Sequence, residues 1–148
     1  MRFPSLFSLL VLPALSASLA DDAKDDSKLL DGRWNLVSME LEGVKVPDEK
    51  IKGDGGSWLF KGSEVVFLGP PKDHKASATL DLTTTPKLID LVGLEGPEKG
   101  KKAEGIFKIE KGQLIICLQT EVPKKGRPTE FKTEAGSNLA LMIFEKTK

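Results

Sequence analysis

The stretch EGIFKIEKGQLIICLQ, Glu104 to Gln119, decides the fold. It reads as two strands joined by a short turn at Glu110-Lys111-Gly112, where the glycine can take the positive φ that such turns need. On the first arm Phe107 and Ile109 share one face, and Lys108 and Glu110 the other. The second arm is apolar on both faces: Leu114, Ile116 and Leu118 point one way, Ile115 and Cys117 the other. A strand that is apolar on both sides must be covered on both sides. The hairpin is therefore expected at the centre of a sheet that folds over itself.

Outward from this hairpin, the chain breaks into more short strands. On the N-terminal side these are residues 33–41, a short extension at 44–47, then 58–60 and 64–68 around Lys61-Gly62-Ser63, a hairpin signal. Residues 75–82 alternate, with Ala76, Ala78, Leu80 and Leu82 on one face. Residues 87–92 follow the Thr85-Pro86 turn with Ile89 and Leu91 inward and Asp90 outward. Residues 48–52 read as one helical turn, and residues 93–102 as a lysine-rich loop. After the hairpin come a loop at 123–128, a short strand at 129–132 and a final strand at 139–145. The result is about nine short strands with glycine turns between them and no long amphipathic helix, the spacing of an antiparallel meander that closes as a barrel or sandwich. Closure also removes exposed edges, which would otherwise invite aggregation.

Three places carry a resemblance. Gly32-Arg33-Trp34, just before the first strand, resembles the Gly-x-Trp signature that opens lipocalin-type barrels. The whole of Leu30-Asp31-Gly32-Arg33-Trp34-Asn35-Leu36-Val37-Ser38, the run Glu95-Gly96-Pro97-Glu98-Lys99-Gly100-Lys101 with Gly105-Ile106-Phe107, and Gly126-Arg127-Pro128-Thr129-Glu130-Phe131 are similar to a family of small exported lipocalin-like domains of planctomycete bacteria. The resemblance spans residues 29–146 and implies a planctomycete source and an all-β fold, an antiparallel lipocalin-like (calycin-type) β-barrel of about eight to nine strands. It implies no activity, ligand or catalytic residue. In such a barrel Gly32 lets the chain approach closely and Trp34 plugs the closed end. A basic residue usually stacks on that Trp. The last strand has no Arg and Lys146 comes only at its end, so Arg33 or Arg127 is the expected substitute.

Residues 1–20 differ in kind from the rest: Arg2 is their only charge, residues 6–15 are nearly all apolar, and Ser18-Leu19-Ala20 offers small residues for cleavage. This is the layout of a secretory signal peptide, and it outweighs the alternative of a buried N-terminal helix. The apolar run is short for a membrane span of about 20 residues and Pro13 interrupts it. No cysteine follows the cleavage site, which argues against a lipid anchor. The expected organisation is a signal peptide at 1–20, an acidic flexible tail at 21–28 and a barrel domain at 29–148, in a periplasmic or secreted protein.

Without the leader, 128 residues remain, with 21 basic and 22 acidic side chains, one ordinary domain without the field that would draw in nucleic acid or an anionic membrane. Residues 97–127 carry eight basic and four acidic side chains, so Lys99, Lys101, Lys102, Lys124, Lys125 and Arg127 form either a solvated face or an anion-binding patch. Cys117 is alone, so no intrachain disulfide forms, and its apolar neighbours predict a buried thiol. The aspartates of residues 21–27 lack EF-hand spacing, and the glycines of residues 53–56 lack the Gly-Lys-Ser/Thr of a phosphate loop.

His74, the single histidine, is expected as a solvated turn residue, and its being single rules out a two-histidine metal site. No Gly-x-Ser-x-Gly elbow presents a serine, and no acid-base pair converges, so the chain is read as no enzyme, with no cofactor and no metal. Two readings stay open. One is a monomeric barrel that binds a small apolar or amphipathic molecule, with Trp58, Phe60, Phe67, Phe107, Ile109 and Ile116 as wall residues; the small Ala76 and Ala78 leave room for it. The other is a structural or interaction module that meets an exported protein or envelope polymer through its basic loops. The leader makes a direct prediction: intact mass and N-terminal sequencing of the exported protein give Asp21 as its first residue, and a retained Met1 would refute the signal-peptide reading.

Overall fold

Alternation at every second residue makes each apolar run a ribbon with one wet and one dry face, and the dry faces can be hidden together only by curling the sheet. The computed structural model describes residues 30–54, 56–69, 72–119 and 126–147. The expected leader and acidic tail, and Lys124 and Lys125 of the basic set, lie outside them. The strands are β1 (Gly32–Leu41), β2 (Val44–Lys45), β3 (Ser57–Lys61), β4 (Glu64–Leu68), β5 (His74–Asp81), β6 (Lys87–Gly93), β7 (Lys102–Glu110), β8 (Gln113–Gln119) and β9 (Leu139–Lys146), and a short helix, α1 (Asp48–Asp54), lies between β2 and β3. Each strand from β3 to β9 pairs antiparallel with its sequence neighbour, β3 pairs with β1, and β1 pairs with β9. The chain thus closes into an eight-stranded antiparallel barrel, with β2 as an additional strand beside the end of β1. This is the expected lipocalin-like architecture. Among the described residues no helix is long and apolar enough to cross a membrane.

The decisive hairpin sits where its pattern predicts. Its turn places Lys111 at φ 52° and Gly112 at φ 79°, the left-handed pair that suits a two-residue hairpin turn. Phe107, Leu114 and Ile116 join the interior cluster with Phe60, Val65, Ile89 and Phe144. Ile106 and Cys117, paired across the two strands, are equally buried but lie on the outer face. What covers them is the connection from β8 to β9. Residues 126–134 run over the outside of the barrel as a strap: Pro128 is buried, the Cys117 thiol donates to the Lys132 carbonyl at 3.6 Å, and Lys108 stands 4.7 Å from the Phe131 ring centre.

The strap is fastened at both ends. At one, Arg127 donates to the Gly105 carbonyl at 2.9 Å and pairs with Asp90 at 2.8 Å and Glu104 at 3.3 Å. At the other, the Thr133 hydroxyl donates to Glu40 at 2.6 Å and accepts from the Gly43 amide at 2.8 Å. The strand expected at 129–132 is therefore corrected to a strap. The barrel is already closed by β1 and β9, so it leaves no free edge for that segment to join, and the segment packs across a sheet face through its side chains.

The closed end is built around Trp34, which is 2 % exposed and donates from Nε1 to the Leu30 carbonyl at 2.9 Å. The cation above its ring is Lys146, with Nζ 5.6 Å from the centroid. This corrects the expectation for Arg33 or Arg127: Arg33 is exposed on the alternate face of β1, and Arg127 is held against β6 and β7. Gly32 has φ +118°, and a Cβ there would stand 3.1 Å from Lys146 Cε. Strain and crowding act together, so Gly32→Ala is expected to lower stability by about 1–3 kcal/mol in chemical denaturation, while an unchanged midpoint would show that the end tolerates a side chain.

Candidate functional site

The interior is filled unevenly. Towards the closed end the inward positions carry Phe60, Val65, Ile89, Phe107, Leu114, Ile116 and Phe144, all at most 2 % exposed. Towards the mouth they carry Ala76, Gly93 and Ala103 opposite Trp58 and Phe67, and the small residues leave space. A half-open cavity of about 780 Å³ lies there, walled by Trp58, Phe67, Ala76, Leu91, Ala103 and Leu118. Its size falls within the range of ligand pockets, roughly 300–1,000 Å³. Trp58 spans the boundary between the full and the open half. Its ring centre is 4.9 Å from Phe144, in the packed core, and 4.8 Å from Phe67, in an edge-on contact across the cavity wall.

The segment between β6 and β7 roofs one side of the cavity and contributes Glu98, Gly100, Lys101 and, at the start of β7, Lys102. A 3-10 turn at Gly96–Glu98 folds this segment back on Gly93. Gly93 donates to the Lys101 carbonyl at 3.1 Å and accepts from the Gly100 amide at 2.9 Å. The approach is so close that a Cβ on Gly93 would collide with the Glu98 carbonyl oxygen. The roof is thus a hydrogen-bonded turn pressed on the strand. Opposite it, β1 ends in Leu41, which by its pairing with Ala140 lies on the interior side, and Val44 of β2 is its partner. Both are exposed and give the mouth an apolar lip.

The six expected wall residues divide. Trp58 and Phe67 line the cavity. Phe60, Phe107 and Ile116 are buried in the packed half beneath it, because the large side chains of neighbouring strands meet there and leave no space. Ile109 is 37 % exposed at the end of β7, beside the hairpin turn, where the barrel wall runs out. Leu91, Ala103 and Leu118 complete the wall. The signal for Ala103 was its place four residues before Phe107 on the same face of β7, whereas Leu118 was read on the correct face but not at the mouth.

His74 is corrected from a solvated turn residue to the first residue of β5. It is half-buried opposite Phe67, and Gly96 packs on its ring so closely that a Cβ there would stand 2.9 Å from Nδ1. Cys117 is fully buried, and its burial pushes the thiol pKa up, away from the reactive thiolate. Among the described residues no group of three His, Cys, Asp or Glu side chains converges.

The roof turn makes a test of the cavity's construction. Gly93→Ala is expected to push the turn off β6, lower stability by about 1–3 kcal/mol, and shift Trp58 emission to longer wavelength as water enters. Unchanged emission would show that the turn does not shield the cavity. No protein-family model matches this chain, and no curated protein matches it either.

Proposed function

We propose that this protein is an exported binding barrel that holds one small apolar or amphipathic molecule in the cavity at its mouth, as a carrier and not as a catalyst. The observation that carries the reading is the uneven filling of the interior. A barrel of this size can be packed throughout, and here one half is, while the other keeps about 780 Å³ between aromatic and aliphatic walls. Apolar surface held open to water costs about 25 cal/mol per Å², and a ligand that covers it recovers that amount. The export-signal reading and the resemblance to exported lipocalin-like domains support the same role outside the cytoplasm. The alternative of docking through basic loops draws less support, since Arg127 is engaged by Asp90 and Glu104.

The neutral probe phenylnaphthylamine tests the proposal. It is expected to bind saturably, one molecule per chain, with energy transfer from Trp58. Ala103→Trp fills the cavity and should weaken the probe by at least about tenfold, roughly 1.4 kcal/mol, with an unchanged melting temperature. Trp58→Phe should keep binding and lose most of the transfer. Equal binding by the Ala103→Trp protein would move the probe elsewhere and refute the assignment.

A further inference from the structure

From the depth and width of the cavity we infer that its ligand is a compact molecule built of fused rings, and not an extended acyl chain. The inference rests on the binding reading above and names the class of molecule that the same site takes. Depth is set by how soon each strand passes from wall to core. On β3 Trp58 lines the cavity and Phe60, the next inward residue, is 2 % exposed; on β8 Leu118 lines it and Ile116 is fully buried. On β6 the wall begins at Gly93 and meets the floor at Ile89, and on β7 it begins at Ala103 and meets the floor at Phe107. Four residues of strand rise about 13 Å, and a strand tilted by about 40° covers about 10 Å of that along the barrel axis. An extended chain advances about 1.25 Å per carbon, from the C–C bond length and angle, so about eight carbons reach the floor.

Width points the same way. About 780 Å³ over that depth is a bowl about 10 Å across, about twice what one chain fills when its carbons meet their neighbours at about 4 Å. A straight chain in such a bowl touches one wall, and the contacts it leaves unmade on the other are lost outright. A chain folded back on itself fills the width only by giving up the freedom of every bond it fixes, whereas a fused ring system has no such freedom to lose. The wall is also partly aromatic. Trp58 and Phe67 pack against the core with part of their surface still uncovered, and both line the cavity. A ring in the bowl can meet them in the tilted and edge-on geometries that Trp58 already makes with Phe144 and Phe67, while a methylene chain gains only the area it covers. Ala76, Gly93 and Ala103 supply the breadth, because a larger side chain at any of them would narrow the bowl to a slot.

Displacement of phenylnaphthylamine by neutral alcohols reads the inference directly. The straight-chain alkanols from hexanol to tetradecanol are measured beside two rigid ring alcohols, decahydro-2-naphthol and 1-adamantanol, each below its solubility limit. The alkanols are expected to gain about threefold to fourfold in affinity per carbon up to about eight carbons, and less than about twofold per carbon beyond, where each added carbon stands in the mouth. Each ring alcohol is expected to bind at least about tenfold more tightly than the alkanol of equal octanol–water partition, since the two then differ in shape and rigidity alone. A rise that continues unbroken to tetradecanol, or ring alcohols no tighter than their matched alkanols, overturns this inference while the cavity stands. If the probe shows no site sensitive to Ala103→Trp, the binding reading falls and this one with it.

Discussion

The pairing of β9 with β1 is the constraint on which the rest of this molecule depends. It runs from Trp34 opposite Lys146 to Leu41 opposite Ala140 and converts an open meander into a barrel. Because of it, Lys146 comes to lie over Trp34, and the last strand of the chain seals the end that the first strand opens. Because of it too, no edge remains for the β8–β9 connection to extend, and that segment becomes the strap that hides Ile106 and Cys117. A shift of register between Leu36 and Ser38 lets Leu36 and Met39 both face the interior, so the seam bends and leaves Val37, the residue in the shift, exposed on the outside.

The cavity is a consequence of side-chain size and not of a special backbone. Every barrel strand brings an inward row, and the rows differ in volume from one end to the other. At the closed end phenylalanines, isoleucines and leucines meet and exclude space; at the mouth alanines and Gly93 face Trp58 and Phe67. The roof turn and the apolar lip of Leu41 and Val44 then define the opening.

Much of this was legible in the residues. The alternation in β5, β6 and β7 assigned the inward faces, and the double-sided apolar run of β8 required an outer cover. What local pattern could not provide was the stagger of one strand against the next. Phe60 and Trp58 share a face of β3, yet only the register of the closed barrel puts Phe60 in the packed half and Trp58 at the cavity. The same holds for Phe107 and Ala103 on β7. Lys146 sits at the very end of its strand, and nothing in the local pattern assigns it to Trp34; three-dimensional closure makes that end a fixed point. The strap reads as a strand in sequence because alternation in four residues cannot tell a segment that pairs along an edge from one that lies across a face.

The order of the strands also says how the work of folding is distributed. From β3 to β9 every partner is the next strand along, and all but the β8–β9 pairing, which reaches from Gln119 to Leu139 across the strap, join residues close in sequence through short loops. The seam alone joins the two ends of the domain, bringing Asn35 to Glu145 across almost its whole length. Loop closure cost rises only slowly with length, by about 0.6 kcal/mol for each doubling, and a curled meander already holds β9 near β1. The longest-range strand pairing of this topology is thus one line of contacts, reinforced by the Thr133 bonds to Glu40 and Gly43 and laid down between strands that the preceding neighbours have already brought face to face.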